Sequence, residues 1–242
     1  MKVFVINLKR SVERRQRIES ALHKQNIEFE FIEAVDSSTP DFIYSNRRDD
    51  GLSLKRLGHS LVTNEVACFA SHYLAWEKCL AVGQPIIVLE DNCDLTIDFS
   101  NYIGQLEVLA KKYDYLKLCA AKKRLCYYTL EKINDLFSVV RFLKSTTGAR
   151  GYVLTPTAAD RFIKGADKFV EPVDDYMDKT YKHGVITYSI KPDLIKRARI
   201  PSTIGAKRKV KVNLTIRDKI YIELFRVYEQ IGNIIAVLKG KQ

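Results

Sequence analysis

The stretch Pro85-Ile86-Ile87-Val88-Leu89-Glu90-Asp91-Asn92-Cys93-Asp94 decides how this chain is interpreted. Its apolar, β-branched first half is typical of a buried strand, and the strand ends abruptly in carboxylates. Ligands of open α/β sheets bind at the carboxyl ends of the strands, so the pattern predicts a ligand site at this edge. Clustered carboxylates are the ligands that Mg²⁺ and Mn²⁺ prefer, and Asp91 and Asp94 are candidates to hold such an ion. The alternative is an ordinary acidic turn after a strand, because Asp and Asn are good turn formers.

Strand-like and helix-like segments alternate along the rest of the chain. Short apolar runs predict strands at residues 2–7, 28–36, 114–119, 137–143, 151–154 and 185–190. Helix starts are predicted at Ser11, at Thr63 or Asn64, and at Thr155-Pro156. This order is typical of βαβ units and predicts an α/β fold with a mainly parallel sheet flanked by helices. Residues 37–60 show no clear period, and so long a loop is more often functional or mobile than structural.

Length and composition indicate one domain at residues 1–205, followed by a distinct segment at residues 206–242. The chain has 242 residues, of which 46% are hydrophobic, and this is enough for a sizeable core. Its five cysteines form no Cys-x-x-Cys pair and fall mostly in apolar segments, as reduced thiols of cytoplasmic proteins do. The N-terminal apolar run is too short for a signal peptide, and no apolar run is long enough to cross a membrane. A cytoplasmic location is therefore expected.

The final segment, residues 206–242, is basic and amphipathic. It contains nine basic and three acidic residues, a net charge of +6 in a chain whose total is +11. Apolar residues at steps of three and four predict a helix with an apolar stripe, formed by Ile216, Ile220, Leu224, Val227, Ile231, Ile234 and Leu238. Such a helix suits an anionic membrane surface; alternatively it packs on the domain and leaves a basic face in solvent. Aromatic residues at a stacking spacing are missing, so nucleic acid is not an expected partner.

The sequence lacks both common phosphate-binding glycine loops. Neither G-x-G-x-x-G nor G-x-x-x-x-G-K-[ST] occurs in it. The dinucleotide-binding and P-loop classes therefore lose their strongest signatures. If this chain binds a nucleotide, a metal and basic side chains must neutralise the phosphates instead.

Six blocks of the sequence together resemble a known family. They are INLKRSVERRQRI (residues 6–18), NEVACFASHYLAWE (64–77), IIVLEDN (86–92), TGARGYVLTPTAADRFI (147–163), PVDDYM (172–177) and PSTIG (201–205). In this order they are similar to the blocks of the family 25 glycosyltransferases, bacterial enzymes that build the outer core of lipopolysaccharide or lipooligosaccharide. The family is related to the galactosyltransferases that act on collagen hydroxylysine. Six blocks in order are much more specific than any one of them.

The resemblance implies a GT-A type fold and an inverting hexosyltransferase. The implied donor is a nucleotide sugar, commonly UDP-galactose, the cofactor is a divalent metal, and the acceptor is a sugar of the lipooligosaccharide or lipopolysaccharide outer core. A lipid-linked acceptor and the basic C-terminal helix predict peripheral association with the anionic inner-membrane surface. Two alternatives stay open: a non-catalytic nucleotide-sugar-binding homologue, and a peripheral membrane scaffold carried by the C-terminal helix.

The matched blocks imply a first set of donor-binding residues. Asn7, Arg10 and Arg14 follow the first strand, where a nucleotide or its phosphates would lie in this fold. Glu90 and Asp91 would serve the same donor from the end of the acidic strand. Without the resemblance, Arg14 would be interpreted as an ordinary cation on a helix surface.

A second set of candidates lies farther along the chain. Gly148, Arg150 and Gly151 precede a strand, where glycine permits a close approach of the backbone to a ligand. His72 lies within a matched block, although a lone histidine on a helix is usually a satisfied core group. His183 is a weak candidate for a metal ligand, because no second ligand lies at a suitable spacing.

One departure from the family pattern concerns the metal. The family usually shows Glu-Asp-Asp at the strand end, whereas this chain has Glu90-Asp91-Asn92 with a displaced acid at Asp94. The Asn92 carbonyl can coordinate Mn²⁺ or Mg²⁺ but supplies no charge, so metal affinity should fall unless Asp91 or Asp94 compensates. Either the ion is held mainly by Asp91 and the donor diphosphate, or basic residues stabilise the charge in its place.

A pair of acids in PVDDYM is the candidate general base. Inverting transfer needs a carboxylate that removes the proton of the acceptor hydroxyl, at some distance from the acids of the donor side. The family match favours Asp174, and Asp175 stays open. The alternative interpretation is that both acids only stabilise the dipole at a helix N-terminus.

Overall fold

The computed structural model describes residues 1–121, 126–135, 137–200 and 213–239. In these residues the strands are β1 (Lys2–Asn7), β2 (Phe29–Glu33), β3 (Ile86–Glu90), β4 (Cys93–Leu95), β5 (Tyr115–Lys117), β6 (Tyr127–Asn134), β7 (Phe137–Phe142), β8 (Gly151–Leu154), β9 (Tyr188–Lys191) and β10 (Ile195–Arg197). The helices are α1 (Val12–His23), α2 (Asp50–Leu57), α3 (Thr63–Val82), α4 (Phe99–Ala110), α5 (Pro156–Gly165), α6 (Val173–Met177), α7 (Thr180–His183) and α8 (Ile216–Lys239), with a 3₁₀ helix at Ser45–Arg47.

Eight strands form one mixed sheet in the order β2-β1-β3-β8-β5-β9-β7-β6. β1 is parallel to β2 and β3, and β5 is parallel to β9, whereas β8 and β7 are antiparallel to both of their neighbours. β7 and β8 therefore run antiparallel to the other six strands of this sheet. The predicted α/β fold with flanking helices and a C-terminal helix is confirmed, and the sheet, which was predicted to be mainly parallel, is mixed.

Alternate residues of the central strands pack against helices on opposite faces of the sheet. Phe4 and Ile6 of β1 belong to one core cluster, together with residues of α3 and α5, and Val5 belongs to the other, with residues of α1 and α4. The first cluster is rich in buried aromatic residues: Phe69, Trp76, Phe162, Phe169 and Tyr176. Because both faces are covered, β1 and β3 must be apolar at nearly every position.

The parallel pairing of β1 and β3 brings their carboxyl ends to the same edge of the sheet. Ile6 is paired with Glu90, and the backbone N–H of Asp91 donates to the carbonyl oxygen of Ile6 at 3.2 Å. Asn7, the last residue of β1, therefore lies beside the acidic end of β3. This register creates the predicted polar edge from two segments that are far apart in the sequence.

Of the predicted helix caps, Thr155 is confirmed, whereas Ser11 precedes α1 without a side-chain cap hydrogen bond and Thr63 is the first residue of α3 rather than its cap. α3 begins at Thr63, and its N-cap is Val62, whose N–H donates to Glu65 Oε2 at 3.1 Å. α5 begins as predicted, with the Thr155 hydroxyl accepting from the N–H of Ala158 at 3.2 Å. These caps satisfy N–H groups that a helix N-terminus leaves without intrahelical partners.

Residues 37–60 are not the irregular loop that the sequence predicts. They contain the 3₁₀ helix and α2, which Asp49 caps by accepting from the N–H of Leu52 at 2.9 Å. The Ser53 hydroxyl is buried and donates to the carbonyl of Val170 at 2.7 Å, which ties the segment to the domain. α2 has 8 residues, too few for a clear helical period in the sequence.

The C-terminal helix α8 packs on the domain through one face. Its Glu229 accepts from Lys179 Nζ at 2.5 Å and from the Tyr181 hydroxyl at 2.8 Å, and Asn233 Oδ1 accepts from the N–H of Tyr181 at 3.1 Å. A Cβ placed on Gly232 would lie 3.3 Å from Tyr181, so the absence of a side chain there permits the close approach. α8 is therefore anchored on α7 by specific contacts.

The predicted apolar stripe lies on the opposite, exposed face of α8. Its members are 52% to 77% exposed: Ile216, Ile220, Leu224, Val227, Ile231, Ile234 and Leu238. The predicted C-terminal helix is confirmed, and its apolar stripe is exposed to solvent, although Ile234 also lines a cavity against the domain. None of the described helices is long and apolar enough to cross a membrane. The predicted boundary at residues 205 and 206 and the block at 201–205 lie outside the described residues.

Candidate active site

The buried carboxylate of Asp91 is the centre of the polar edge formed by β1 and β3. Asn7 Nδ2 donates to Asp91 Oδ2 at 2.8 Å, and Arg14 Nη1 donates to Asp91 Oδ1 at 3.1 Å. Asp91 is only 7% exposed. Helix α1 follows β1 and places Arg14 over this edge of the sheet. The first strand and helix of the chain thus meet the acidic end of β3.

Burial and hydrogen bonding act on Asp91 in opposite directions. Burial raises the pKa of Asp91 above its ordinary value, while the hydrogen bond from Asn7 and the charge of Arg14 lower it. The carboxylate thus depends on these two partners for its charge. Loss of either partner would favour the protonated form.

Glu90 lies next to Asp91 in a second hydrogen-bonded group. Asn92 Nδ2 donates to Glu90 Oε2 at 2.6 Å, and His72 Nε2 lies 3.4 Å from Glu90 Oε1. His72 Nδ1 lies 2.9 Å from the Tyr152 hydroxyl, so the imidazole is held from both sides. Burial alone would raise the pKa of Glu90, but the His72 and Asn92 hydrogen bonds and the charge of Arg150 lower it.

Two cavities meet at this edge, and we name each after one acid. The Asp91 cavity is lined by residues that include Arg10, Arg14, His72, Glu90, Asp91 and Asn92. The Asp174 cavity has a volume of 340 Å³ and is lined by residues that include Glu90, Asn92, Gly148, Arg150, Asp174 and Arg197. Glu90 and Asn92 line both cavities and form the wall between them. The sequence-predicted donor acids and the predicted base therefore face adjoining cavities.

Asp174 is held by the backbone of a tight turn. Its Oδ2 accepts from the N–H of Gly148 at 2.7 Å. Gly148 has a φ of +76°, and a Cβ there would lie 2.9 Å from the Cβ of Ala121. The preceding residue, Thr147, also has a positive φ of 51°, which is unfavourable for a β-branched residue. A strained turn of this kind persists only if its surroundings fix it.

A buried ion pair behind the turn fixes it. Lys117 Nζ lies 2.6 Å from Asp178 Oδ1, and their side chains are only 1% and 4% exposed. Asp178 Oδ2 also accepts from the hydroxyl of Ser145 at 2.7 Å and from the N–H of Thr147 at 3.0 Å. Lys117 Nζ donates to Thr146 Oγ1 at 3.1 Å. The ion pair thus holds residues 145–147 in place. It thereby positions the N–H of Gly148 that donates to Asp174.

Asp175 differs from its neighbour in position, and its pKa is raised. It lines neither of the two cavities. Burial and the nearby charge of Asp174 raise the pKa of Asp175 to about 6. Because the folded state raises the pKa, this group stabilises the fold when it is protonated, and that contribution is lost as the pH rises from about 4 to about 6.

We expect Asp175→Asn to stabilise the protein at pH 7.5 by up to ~3 kcal/mol, because the amide removes a buried negative charge. The difference from wild type should vanish near pH 4, where Asp175 is protonated. Urea unfolding at both pH values measures this. Asp135→Asn, which changes an exposed carboxylate, is the control and should leave stability nearly unchanged. An equal gain at both pH values would contradict the assignment of the raised pKa.

The predicted metal ligands are not arranged as a metal site. Both oxygens of Asp91 are engaged by Asn7 and Arg14, and the guanidinium of Arg14 stands where a cation would approach. Asp94 lies on β4 and pairs with Arg17, while Asn92 turns its amide to Glu90. Within the described ranges, no group of three or more His, Cys, Asp and Glu side chains is placed to hold an ion. The residues present therefore do not fit a carboxylate-bound metal in this arrangement.

The remaining predicted residues are divided between the site and the core. Arg10 lines the Asp91 cavity and pairs with Asp36 at 2.8 Å, and Arg150 lines the Asp174 cavity. Gly151 is buried in β8, where a Cβ would lie 2.3 Å from Ile195 Cδ1, so its small size serves packing. His183 is a core residue whose two ring nitrogens both have backbone partners, and burial lowers its pKa to about 4.

Sequence reasoning missed several residues of the site. Lys117 is in a short apolar strand and Asp178 follows a short helix, so neither carries a local signal of its partner. Tyr152 looks like an ordinary strand residue, although its hydroxyl positions His72. Arg197 is in the short strand β10, which was not predicted. All four depend on contacts between distant segments.

The sequence matches the profile of a protein family over most of its length. The profile is that of glycosyltransferase family 25 (LPS biosynthesis protein), and it covers residues 1–177. This span contains every predicted site residue from Asn7 to Asp175, and the candidate His183 lies beyond it.

Three similar proteins illustrate the range of the relatives. Procollagen galactosyltransferase 1 of Danio rerio is 28% identical over 200 residues, which are 77% of this chain and 32% of that protein. Lipooligosaccharide biosynthesis protein lic2B of Haemophilus influenzae is 30% identical over 168 residues, 64% of this chain and 59% of that protein. Inactive glycosyltransferase 25 family member 3 of Mus musculus is 33% identical over 129 residues, 50% of this chain and 22% of that protein. The chain thus matches less than two thirds of the length of each of these relatives.

Proposed function

Because the chain belongs to glycosyltransferase family 25, we propose that it transfers a hexose, galactose from UDP-galactose, to a sugar of the lipooligosaccharide or lipopolysaccharide outer core. Transfer inverts the anomeric carbon, and the α/β fold is of the GT-A type. The named relatives support the galactosyl donor and the lipooligosaccharide acceptor: two kinds of protein in this set are called procollagen galactosyltransferase and lipooligosaccharide biosynthesis protein.

The observation that carries this proposal is the pair of adjoining cavities. We propose that the nucleotide sugar binds at the Asp91 cavity, whose volume of 100 Å³ encloses only part of it, and that the acceptor hydroxyl enters from the Asp174 cavity. The reacting carbon then lies at the common wall formed by Glu90 and Asn92. Asn92 Oδ1 is buried without a hydrogen-bond partner among the described residues, so it is available to accept from a sugar hydroxyl.

Basic side chains are proposed to stabilise the diphosphate that leaves. Breaking the bond to the sugar concentrates negative charge on the leaving group, which nearby cations stabilise in a site that excludes water. Arg10 and Arg14 line the Asp91 cavity and Arg150 lines the Asp174 cavity. Of the two possibilities left open by Asn92, charge stabilisation by basic residues agrees better with Arg14 standing on Asp91. No step is therefore derived through a metal.

Asp174 is proposed as the general base. Gly148 binds one of its carboxylate oxygens and fixes the orientation of the group. Oδ1 has no hydrogen-bond partner among the described residues and is available to take the proton of an acceptor hydroxyl. Asp175 is partly buried and lines neither cavity, which favours Asp174 within the pair.

A donor screen tests the proposed function. The protein is incubated with UDP-galactose, UDP-glucose or a UDP-N-acetylhexosamine, with and without truncated lipooligosaccharide acceptors, and UDP release is measured. We expect acceptor-dependent release with UDP-galactose above the other donors. Release with a different donor alone would correct the sugar, and no release with any donor would contradict the transferase activity.

A non-catalytic nucleotide-sugar-binding homologue is the second candidate. Asn92 in place of the usual acid and the similarity to a relative named inactive both favour it. Such a protein would bind UDP-galactose in calorimetry but release no UDP, whether or not acceptor is present. The same screen therefore separates the two candidates.

The exposed stripe of α8 is proposed to hold the enzyme at the cytoplasmic face of the inner membrane. The stripe supplies apolar side chains, and Arg217, Lys219, Arg226 and Lys239 supply positive charge along the same helix. Apolar insertion and attraction to anionic lipids together give reversible binding. A membrane scaffold without transferase activity would share this property, so membrane binding alone does not separate the two.

Leu224→Gln combined with Ile231→Gln should reduce binding to anionic vesicles by ~10-fold or more, because burial of each such side chain contributes about 1.5 to 3 kcal/mol. Sedimentation with vesicles at low and high salt measures this binding. High salt should also weaken vesicle binding by the wild-type protein. Val108→Gln is a matched control, since Val108 and Leu224 are each 65% exposed. Equal loss in the control variant would contradict a specific role of α8.

Point substitutions are a better test than removal of residues 206–242. Deletion would take away Glu229 and Asn233, on which Lys179 and Tyr181 depend. We therefore expect the truncated protein to lose stability as well as vesicle binding, which mixes the two effects.

A further inference from the structure

A large cavity with a mixed lining lies between α8, β7 and the turn that holds Gly148, and Leu143, Ile234 and Val237 form part of its apolar wall. This Arg141 cavity has a volume of 560 Å³ and is lined by residues that include Arg141, Lys144, Ser145, Thr146, Gln230 and Asn233. Its volume lies within the range of roughly 300 to 1,000 Å³ that small-molecule sites occupy. It is separate from both cavities of the candidate active site, with which it shares none of its lining residues.

The side chains of the Arg141 cavity suit a polyhydroxylated ligand. Hydroxyl groups come from Ser145, Thr180, Thr187 and Ser189, and side-chain amides come from Gln230 and Asn233. The Ser145 and Thr187 hydroxyls already donate within the protein and Asn233 Oδ1 already accepts, so these groups offer a sugar the oxygen lone pairs of the two hydroxyls and the N–H groups of the Asn233 amide. Phe142 adds a flat apolar surface to the same wall.

The cavity also carries an excess of positive charge. Within the described ranges, neither Arg141 nor Lys144 forms a salt bridge, and Arg141 Nη1 donates to the Tyr128 hydroxyl at 3.5 Å. Asp178 is the acidic residue of the lining, and Lys117 compensates its charge at 2.6 Å. A ligand in the cavity therefore meets two uncompensated cations, and this favours an anionic group.

The cavity and the proposed base lie on two sides of one turn. Ser145 and Thr146 line the Arg141 cavity, whereas Thr147 and Gly148 line the Asp174 cavity. A glycan whose reacting hydroxyl is at Asp174 reaches the Arg141 cavity by crossing the turn at Thr147. The nucleotide sugar is less suited to it, because a donor in the Asp91 cavity would have to extend through the whole Asp174 cavity first.

We propose that the Arg141 cavity is a second subsite for the acceptor, which binds a glycan residue bearing a phosphate or carboxylate group. The inference rests on the proposed function and adds the substrate class: an oligosaccharide acceptor that is anionic away from its reacting sugar. Lys144 and Arg141 recognise the anion, and the hydroxyl and amide groups recognise the ring. The residues of this subsite act on acceptor affinity and take no part in the bond that is broken.

Lys144→Ala tests the subsite with three versions of one truncated core oligosaccharide, which carry a phosphate, a carboxylate or no charged group. We expect the KM for the preferred anionic version to rise by ~10-fold, the effect of one charge-assisted hydrogen bond, with kcat little changed. The KM for the neutral version should change by less than a factor of two. Whichever charged version loses more affinity identifies the anion.

Lys132→Ala is the matched control, since Lys132 is an exposed lysine on the neighbouring strand β6 and does not line the cavity. Lys144→Arg should retain the preference and Lys144→Glu should reverse it. Equal effects of Lys144→Ala on charged and neutral acceptors, or an equal effect of Lys132→Ala, would overturn the subsite.

Calorimetry distinguishes failure of the subsite from failure of the proposed function. Binding of the phosphorylated oligosaccharide to wild type and to Lys144→Ala is measured without turnover, alongside binding of UDP-galactose. Selective loss of oligosaccharide binding supports the subsite even where transfer is not detected. Unchanged oligosaccharide binding in an enzyme that still transfers galactose contradicts the subsite alone.

Discussion

Asp174→Asn should lower kcat by a factor on the order of 10² to 10⁴ and leave donor affinity nearly unchanged. The amide cannot take a proton from an acceptor hydroxyl at neutral pH. Its carbonyl oxygen can still accept from the N–H of Gly148, which lies 2.7 Å from the carboxylate in wild type. The variant therefore keeps the turn and loses only the proposed base.

Steady-state transfer kinetics and UDP-galactose calorimetry of Asp174→Asn measure the two effects separately. Asp175→Asn is the comparison, because Asp175 is the adjacent acid in the sequence but lines neither cavity. We expect that variant to keep most of the activity. If Asp175→Asn loses activity and Asp174→Asn does not, the base is the other member of the pair.

Asp91→Ala should lower kcat by more than a factor of ten, a barrier increase above ~1.4 kcal/mol. The substitution leaves Asn7 and Arg14 without their shared partner, so both lose the position from which they act on the donor. Because Asp91 is buried and hydrogen-bonded, stability should also fall by ~1 to 3 kcal/mol. Urea unfolding at the temperature of the assay shows whether the protein remains folded.

Asp91→Asn separates the loss of charge from the loss of contacts. Its amide can still accept from Asn7 but no longer compensates Arg14, so we expect an intermediate loss of activity with less loss of stability. Asp94→Ala is the second comparison, since Asp94 is exposed and paired with Arg17. If Asp94→Ala loses as much activity as Asp91→Ala and added Mn²⁺ restores it, the result would support Asp94 as a metal ligand.

The central strands could be predicted because their signals are local. β1 and β3 are buried on both faces and are therefore continuous apolar runs, and Thr155-Pro156 marks a helix start without reference to other segments. The edge strand β6 was missed because its residues are largely exposed, and exposed strands lack the apolar alternation on which prediction depends.

The candidate site was predictable where one segment supplies several groups. Glu90, Asp91 and Asn92 come from a single strand end, and the structure brings Asn7 and Arg14 to them. The Lys117–Asp178 pair was not predictable, because it joins two segments that have no pattern in common. The family resemblance supplied Asp174, and the structure adds the turn that holds it.

Two of the predicted metal ligands are carboxylates that pair with basic side chains in the structure. Carboxylates at a strand end suggest an ion, but a basic side chain satisfies them equally well. Here α1 directs Arg14 to Asp91 and Arg17 to Asp94. These pairings depend on how the first helix packs, which the sequence around residues 86–94 does not contain.

The configuration of the product tests the central claim most directly. The purified protein is incubated with UDP-galactose, in which galactose is α-linked, and a truncated lipooligosaccharide acceptor, and the product is analysed by mass spectrometry and NMR. We predict the addition of one hexose with a β-linked anomeric proton, formed by wild type and nearly absent with Asp174→Asn. An α-linked product, or equal product from Asp174→Asn, would contradict inversion with Asp174 as base; intact UDP-galactose with every acceptor would contradict the transferase itself.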